Sequence, residues 1–269
     1  MEISTVGSYR AQWGEGPVWW KGGVYYVDIE GHCVVRWEEG KDEKTWPVAE
    51  RIGFVTPDED GTLIIGGDSG LRRLNPDTGF ITPIADPEKD LPDNRFNDGK
   101  RAPDGRIFAG TISMVKKQGT AALYCFERNG ELRKVLDGVT NSNGMAWSKD
   151  AKTVYYIDTP RKEIWAFDYD EATGEWSNQR TVVDTSHLDS SPDGMTIDKE
   201  DKLLVAFCHG GCVIKFDPAT GKELARIDFP CVETTSCCFG EDESELFVTT
   251  GIKKDLLEED AGRLFRVRF

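Results

Sequence analysis

Six short apolar runs recur along the chain, and each of them follows a turn-forming or charged cluster. Their first residues lie 39 to 49 positions apart and are Val24, Leu63, Ile107, Val154, Leu203 and Leu246. The runs are rich in β-branched and aromatic residues, and no window shows the apolar spacing of a helical repeat. A repeat of this length, built from short strand-like segments, is typical of a β-propeller.

Residues 143–184 show the content of one repeat most clearly. The pattern predicts four strands: Asn143–Trp147 nearest the axis, Val154–Asp158, Glu163–Phe167, and an outer strand near Thr181–Val183. A turn that ends in glycine separates the last two strands, and it recurs in other repeats: Asp170–Gly174, Asn75–Gly79 and Asp217–Gly221. Glycine at a fixed offset suits a hairpin connection of this kind.

The repeat accounts for nearly all 269 residues as six units of about 45. We therefore expect an all-β fold in which residues 1–269 form a single domain. That domain is a six-bladed β-propeller with four-stranded antiparallel blades around a central channel. Because an open ring would expose sheet edges, we expect Leu264–Val267 to pair with an N-terminal strand around Glu2–Val6.

The chain is strongly acidic, with a formal net charge of −15 and a sequence pI of about 4.7. This balance argues against nucleic acid and against anionic membranes as partners. No stretch reaches the length of a transmembrane helix, and no basic and apolar signal segment opens the chain. These features predict a soluble, cytoplasmic protein, and they leave its oligomeric state open.

The seven cysteines have no secretory context, and several of them fall in apolar runs. Reduced, buried thiols are therefore the expected state. The segment Cys208–Cys212 contains two cysteines and His209, which are soft metal ligands. A closed zinc site needs four ligands, however, and the adjacent Cys237 and Cys238 should point to opposite faces of a strand. The sequence therefore favours buried thiols over a structural zinc site.

A short polar residue precedes a glycine at the start of four apolar stretches, at the same phase of the repeat: Glu15-Gly16, Asp98-Gly99, Asn143-Gly144 and Asp193-Gly194. Such pairs are commonly turn dipeptides, but their recurrence in phase places them at the inner strands, where glycine lets backbones crowd. The side chains would then converge at the channel mouth. Glu15, Asn143 and Asp193 offer hard oxygen ligands that suit Ca²⁺, Mg²⁺ or Mn²⁺. Two carboxylates would neutralise the dication and leave coordination positions for water and substrate.

Motifs spread along the whole chain resemble those of the senescence-marker-protein/gluconolactonase family, which includes regucalcin: Trp13–Trp19, Arg95–Lys100, Asn143–Trp147, Ser191–Met195, Gly211–Ile214 and Thr234–Gly240. The family fold is a six-bladed propeller. The resemblance implies a hydrolase that opens sugar aldonolactones with one divalent metal ion (Ca²⁺, Zn²⁺, Mn²⁺, Mg²⁺ or Fe²⁺). It also implies that Glu15, Asn143 and Asp193 bind the metal and that Asp193 acts as general base. Arg95 and Asn97 would bind substrate oxygens.

One segment departs from the family pattern. Some relatives place a sugar-contacting glutamate after the counterpart of Ala109–Thr111, whereas this chain continues with Ile112–Lys117. The preferred sugar therefore does not follow from the resemblance. We expect three loops to border the mouth and decide it: Ser113–Thr120, His209–Gly211 and Ile252–Gly262. A plain turn is favoured for His209 over a substrate ligand, and His32 and His187 are read as structural. Most of the tryptophans near the motifs should pack between blades: Trp13, Trp19, Trp20 and Trp147.

Two other functions fit the same residues. A metal site in a propeller can also serve a phosphotriester hydrolase, which the fold alone does not distinguish from a lactonase. The chain could instead be a non-catalytic calcium-binding protein of the regucalcin type. Arg95 and Asn97, adjacent to the predicted metal motif, favour a substrate site and hence an enzyme.

Overall fold

The computed structural model describes every residue from Met1 to Phe269 and contains 24 strands in six four-stranded antiparallel sheets. β1 (Glu2–Val6) opens the chain. The first blade contains β2 (Gly14–Trp20), β3 (Gly23–Asp28), β4 (Cys33–Trp37) and β5 (Lys44–Pro47). The second contains β6 (Ile52–Pro57), β7 (Leu63–Gly67), β8 (Gly70–Leu74) and β9 (Ile81–Ala85). The third contains β10 (Asn94–Arg101), β11 (Ile107–Ser113), β12 (Ala121–Phe126) and β13 (Leu132–Val139).

The fourth blade contains β14 (Ser142–Trp147), β15 (Thr153–Asp158), β16 (Glu163–Asp170) and β17 (Glu175–Asp184). The fifth contains β18 (Ser191–Ile197), β19 (Leu203–Cys208), β20 (Cys212–Asp217) and β21 (Lys222–Asp228). The sixth contains β22 (Thr234–Phe239), β23 (Glu245–Thr250) and β24 (Leu264–Arg268), and β1 is its outer strand. The inner strands contact one another in sequence and close the ring: β2, β6, β10, β14, β18 and β22. The predicted six-bladed propeller is confirmed.

The six apolar runs all lie in the second strand of a blade: β3, β7, β11, β15, β19 and β23. These strands are buried along most of their length, because the faces of neighbouring blades cover them on both sides. Burial on both faces explains why the runs are continuously apolar instead of alternating. The strands predicted within residues 143–184 are also confirmed. β16 and β17 are longer than predicted, because their pairing extends to Asp170 opposite Glu175.

The ring is closed by the two ends of the chain. β1 pairs with β24 in an antiparallel register from Glu2 opposite Arg268 to Val6 opposite Leu264, as predicted. The pairing gives the last blade its fourth strand and covers an edge that would otherwise be free. Apart from the strands, the chain forms one short 3₁₀ turn at Thr159–Arg161. No helix in the structure has the length and hydrophobicity needed to cross a membrane.

Large aromatic side chains fill the spaces between blades. Trp19 of the first blade stacks on Phe247 of the sixth at 5.6 Å between ring centroids. Trp147 of the fourth blade packs on Phe108 of the third at 5.5 Å. Trp13 and Trp20 pack against the apolar cluster that the first and second blades share, although the ring nearest to Trp20 is Tyr25 of its own blade.

The cysteines are part of this apolar packing. All seven are free thiols and buried, as the sequence predicts. Cys237 packs with the fifth-blade residue Leu204, whereas Cys238 packs with the first-blade residue Val24. The two adjacent side chains therefore point to opposite faces of β22.

Every inner strand is irregular near its start. The pairing with the second strand of the blade shifts at six places: Glu15/Val18, Ile52/Phe54, Phe96/Asp98, Ser142/Met145, Pro192/Met195 and Thr234/Ser236. Asn97, Asn143 and Asp193 fall inside these shifts and have no partner in the ladder. Irregularities of this kind bend a strand and re-aim its side chains. Here they free the polar side chains from the alternating pattern at one end of the channel.

The glycines after the polar residues are required by close approach of the inner strands. A Cβ on Gly144 would lie 2.6 Å from the carbonyl oxygen of Asp193. A Cβ on Gly194 would lie 2.7 Å from the Cα of Ser236 and 1.9 Å from its Oγ. Each glycine thus allows the next inner strand to pass at a distance that no larger residue permits.

Replacing Gly144 with alanine should destabilise the ring at the axis. The new Cβ would displace the backbone of Asp193, and overpacking of this kind costs about 1–3 kcal/mol in the free energy of unfolding. Urea denaturation measures the loss. Gly240→Ala is the control, because its Cβ would meet nothing closer than 3.3 Å. Equal stability of the two variants would contradict the requirement for close approach.

Candidate functional site

Four buried polar side chains lie on four different inner strands. Glu15 belongs to β2, Asp98 to β10, Asn143 to β14 and Asp193 to β18. Repulsion from both Asp193 and Asp98 raises the pKa of Glu15, and the neighbouring Asn143 lowers the pKa of Asp193. The structure therefore brings together all four side chains that the sequence places at the axis.

Burial raises the pKa of Glu15 well above its ordinary value, and repulsion from Asp193 and Asp98 raises it further. Burial likewise raises the pKa of Asp193, and repulsion from the charges of Asp98 and Glu233 raises it further. Neither Glu15 nor Asp193 forms an ion pair with a lysine or an arginine. Buried carboxylates without a counter-charge are costly, and a bound cation removes that cost. The donor set therefore fits a divalent ion.

The amide of Asn143 is oriented by Thr159 of its own blade, which is in turn held by the fifth blade. Its Nδ2 donates to Thr159 Oγ1 at 2.8 Å, and Thr159 Oγ1 donates in turn to the carbonyl oxygen of Pro192 at 3.0 Å. With the amide nitrogen engaged in this way, Oδ1 remains as the acceptor of the group. A carbonyl-type oxygen next to two carboxylates is an ordinary ligand for Ca²⁺ or Mg²⁺.

Asp98 differs from the other two carboxylates because it has a lysine neighbour. Burial raises the pKa of Asp98, while attraction by Lys100 lowers it. Lys100 spans the channel and donates from Nζ to the carbonyl oxygen of Met195 at 2.7 Å. Asp98, Lys100 and Ser236 line a small cavity of about 30 Å³. Asp98 thus lines the channel together with a cation from its own strand.

Arg95 and Asn97 extend from β10 on the same side of the site. Arg95 donates from one terminal nitrogen to the Phe96 carbonyl at 2.8 Å and to Asn97 Oδ1 at 3.0 Å. Its Nε is buried without a hydrogen-bond partner, and Arg95 forms no ion pair. Burial and repulsion from Arg51 lower the pKa of Arg95 to about 10, so the guanidinium remains charged at neutral pH. An unpaired, buried donor of this kind suits an anionic or carbonyl oxygen of a ligand.

Sequence reasoning missed the residues that hold Asn97 in place. Asn97 Nδ2 donates to Asn141 Oδ1 at 3.1 Å and to the Ser142 carbonyl at 2.9 Å. The backbone nitrogen of Asn141 in turn donates to Asp158 at 2.8 Å. Asp28 binds the nitrogen of Trp13 at 2.9 Å in the same way in the first blade. An aspartate at the end of the second strand of a blade is therefore a feature of the sequence that could have indicated this support of the inner strand.

A second cluster lies where the fifth blade meets the sixth. Cys208 Sγ donates to Glu233 Oε2 at 3.1 Å, and His209 Nδ1 lies 2.9 Å from Glu233 Oε1. Lys253 Nζ stands 3.8 Å from the same carboxylate. His209 is a turn residue, as expected, but its ring is paired with Glu233. The segment Cys208–Cys212 does not supply two thiols to one site, since Cys212 lies in the core between the fourth and fifth blades.

Two of the three expected loops meet at this cluster. Lys253 brings the segment Ile252–Gly262 against Glu233, and Val232 donates its backbone nitrogen to Glu258 Oε1 at 2.9 Å. The third loop, Ser113–Thr120, begins beside the fourth blade, where Ser113 donates to the Thr140 carbonyl. Asn141 is the residue after Thr140, so this loop borders the residues that support Asn97.

Comparison with known proteins finds similarity along almost the whole chain. A sequence model of the SMP-30/Gluconolactonase/LRE-like region matches residues 13–252. Regucalcin of Xenopus laevis is 39% identical over 269 aligned positions, covering 97% of this chain and 89% of the relative. A solved luciferin-regenerating enzyme has a TM-score of 0.92 at 26% identity and covers 100% of this chain and 95% of that chain. A calcium-binding protein, regucalcin, of Agrobacterium tumefaciens has a TM-score of 0.88 at 25% identity, with coverages of 96% and 90%.

Removing one of the repelling carboxylates should stabilise the metal-free protein. In the presence of a chelator, Asp193→Asn is expected to raise the free energy of unfolding by about 1–4 kcal/mol, because a buried unpaired charge disappears. At the same concentration, calcium should raise the melting temperature of the wild type by more than that of the variant, because the variant has lost one of the three proposed ligands. Asp189→Asn, an exposed carboxylate of the same segment, is the control. A loss of stability in chelated Asp193→Asn would show that the carboxylate is not under repulsion.

Proposed function

Because this chain belongs to the SMP-30/gluconolactonase/LRE-like family, we propose that it is a divalent-metal-dependent lactonase that opens sugar aldonolactones to aldonic acids. The observation that carries the proposal is that the site contains two kinds of buried charged group that do not neutralise each other. The first kind is the buried carboxylates Glu15 and Asp193, which have no ion-pair partner, and the second is the buried guanidinium of Arg95, which forms no ion pair and whose Nε has no hydrogen-bond partner. A purely structural site would have neutralised one with the other.

Glu15, Asn143 and Asp193 are the proposed ligands of the metal. Their three oxygen donors favour a hard ion such as Ca²⁺, Mg²⁺ or Mn²⁺ over a thiophilic one. The similarity to a calcium-binding protein of Agrobacterium tumefaciens supports Ca²⁺ as the first ion to test. When bound, a divalent ion supplies Lewis-acid polarisation of the lactone carbonyl.

The side chains of this protein would position the substrate and move the proton. The Arg95 guanidinium and the Asn97 amide bind ring oxygens and hold the lactone against the carboxylates. Asp193 accepts a proton from the attacking water, whose oxygen bonds to the carbonyl carbon. The ring C–O bond then breaks, and the leaving alkoxide takes up the proton. The product is the open hydroxy acid.

A lactone panel tests the proposed activity. A pH-indicator assay with gluconolactone, galactonolactone, arabinonolactone and xylonolactone should show hydrolysis that depends on added Ca²⁺, Mg²⁺, Mn²⁺, Zn²⁺ or Fe²⁺ and stops with chelator. An organophosphate triester in the same panel tests the phosphotriester hydrolase. No acceleration on any substrate, together with calcium binding, would favour the non-catalytic calcium-binding function, which the regucalcin relatives also suggest.

Asp193→Asn should lower kcat for the best lactone by about 10²–10⁴-fold, the usual contribution of a positioned general base. Asp189→Asn should leave the rate unchanged. Asp193 is also a proposed metal ligand, so the variant must be assayed at saturating metal with binding measured independently. Near-normal turnover of the metal-loaded variant would refute the base assignment.

Arg95→Lys should raise KM by about 10-fold, because the lysine retains the charge and loses the fork of donors. kcat should change less, provided that Arg95 binds the ground state as strongly as the transition state. Arg128→Lys, at an exposed position, is the matched control. An unchanged KM would remove Arg95 from the substrate-binding residues.

A further inference from the structure

The Cys208, His209 and Glu233 cluster lies beside the proposed oxygen-ligand site and contains different donors. The three side chains offer one sulfur, one ring nitrogen and one carboxylate, and their ligand atoms all lie within 4.8 Å of one another. Cys208 and His209 come from the end of the second strand of the fifth blade, and Glu233 directly precedes β22 of the sixth. None of these residues is assigned a role in the lactonase chemistry described above, although the charge of Glu233 raises the pKa of Asp193.

We propose that this cluster is a second metal site, which binds a thiophilic divalent ion such as Zn²⁺. Around a tetrahedral zinc ion, sulfur, nitrogen and oxygen ligands lie about 3.3–3.6 Å apart. In the structure Cys208 Sγ lies 4.0 Å from His209 Nδ1 and 3.1 Å from Glu233 Oε2, while His209 Nδ1 lies 2.9 Å from Glu233 Oε1. The observed separations bracket the required ones, so small side-chain rotations complete the geometry.

The backbone holds two of the ligands in the required place. His209 adopts a left-handed conformation with φ of 65°, which turns its ring back towards the sixth blade. Its backbone nitrogen donates to Glu233 Oε2 at 3.0 Å and fixes the carboxylate. Glu233 is only 1% exposed, so it is already desolvated before an ion binds. The ordering cost of binding is therefore low.

The chemistry of the donors selects the ion. Thiolate and imidazole prefer Zn²⁺, Co²⁺ or Cd²⁺, whereas the neighbouring all-oxygen site prefers Ca²⁺ or Mg²⁺. Binding replaces the thiol proton of Cys208, which is released to solvent. The His209 side chain is 53% exposed, so the fourth position of a three-ligand site faces water. Lys253, 3.8 Å from Glu233, is the cation that the ion would displace.

Cobalt spectroscopy tests the site without reference to catalysis. The full-length, reduced protein is saturated with Ca²⁺ to occupy the oxygen site and is then titrated with Co²⁺. One equivalent should produce a sulfur-to-cobalt charge-transfer band together with intense visible bands of a tetrahedral ion, and Zn²⁺ should abolish both. Absence of a thiolate band with both Co²⁺ and Cd²⁺ would overturn the proposal.

Matched variants assign the band to its ligands. Cys208→Ser should remove it, while Cys212→Ser, a buried thiol of the same segment, should keep it. His209→Gln is decisive if Cys208→Ser fails to fold, because the ring is largely exposed and its loss spares the core. It should weaken Co²⁺ binding by at least about 10-fold, a loss that even outer ligand partners cause.

Two further variants distinguish binding at this cluster from binding elsewhere on the protein. His187→Gln, another exposed histidine, should bind Co²⁺ as the wild type does. Glu15→Gln should lose the oxygen site and retain the band, so failure of the lactonase proposal leaves this result untouched. A band that survives in both Cys208→Ser and His209→Gln would place the ion elsewhere and refute the assignment.

Discussion

Crowding at the propeller axis is the constraint on which the rest of the structure depends. Six inner strands must converge around a narrow channel, and no side chain fits where Gly144 and Gly194 pass the next strand. The backbone relieves the crowding by leaving its regular ladder near the start of each inner strand. That irregularity turns adjacent polar side chains towards one another. The closure of the ring therefore places the polar side chains of the site.

Electrostatics at the axis then work against the stability of the empty protein. Glu15 and Asp193 are buried and repel each other, and the guanidinium of Arg95 is held away from them by its own contacts to Phe96 and Asn97. Repulsion of this sort is a common mark of a functional site, since the binding of a cation relieves it. The buried carboxylates thus lack a cation, and the guanidinium of Arg95 lacks an ion-pair partner. A metal ion would supply the first, and an oxygen atom of the substrate would bind the second.

Particular residues show how far the sequence could predict this arrangement. The repeat period places Glu15, Asp98, Asn143 and Asp193 at the same phase, and the structure brings them together. Sequence position does not distinguish Asp98 from the others, because its neighbour Lys100 acts only through the geometry of the channel. The pairing of Cys208 and His209 with Glu233 was also missed. Their 25-residue separation carries no motif, and the more obvious cysteine at position 212 points into the core.

The amino-acid sequence by itself determined the number of blades, the strand that closes the ring and the family to which the chain belongs. These properties depend on short local segments, namely the apolar runs and turn residues that repeat along the chain. Only the tertiary structure decided which donors are left without partners, such as Arg95 Nε, and which residues of adjacent blades share a site. Such contacts depend on strand register, local irregularity and the packing of one blade against the next. None of these is visible in a single repeat, because each arises only when two blades meet.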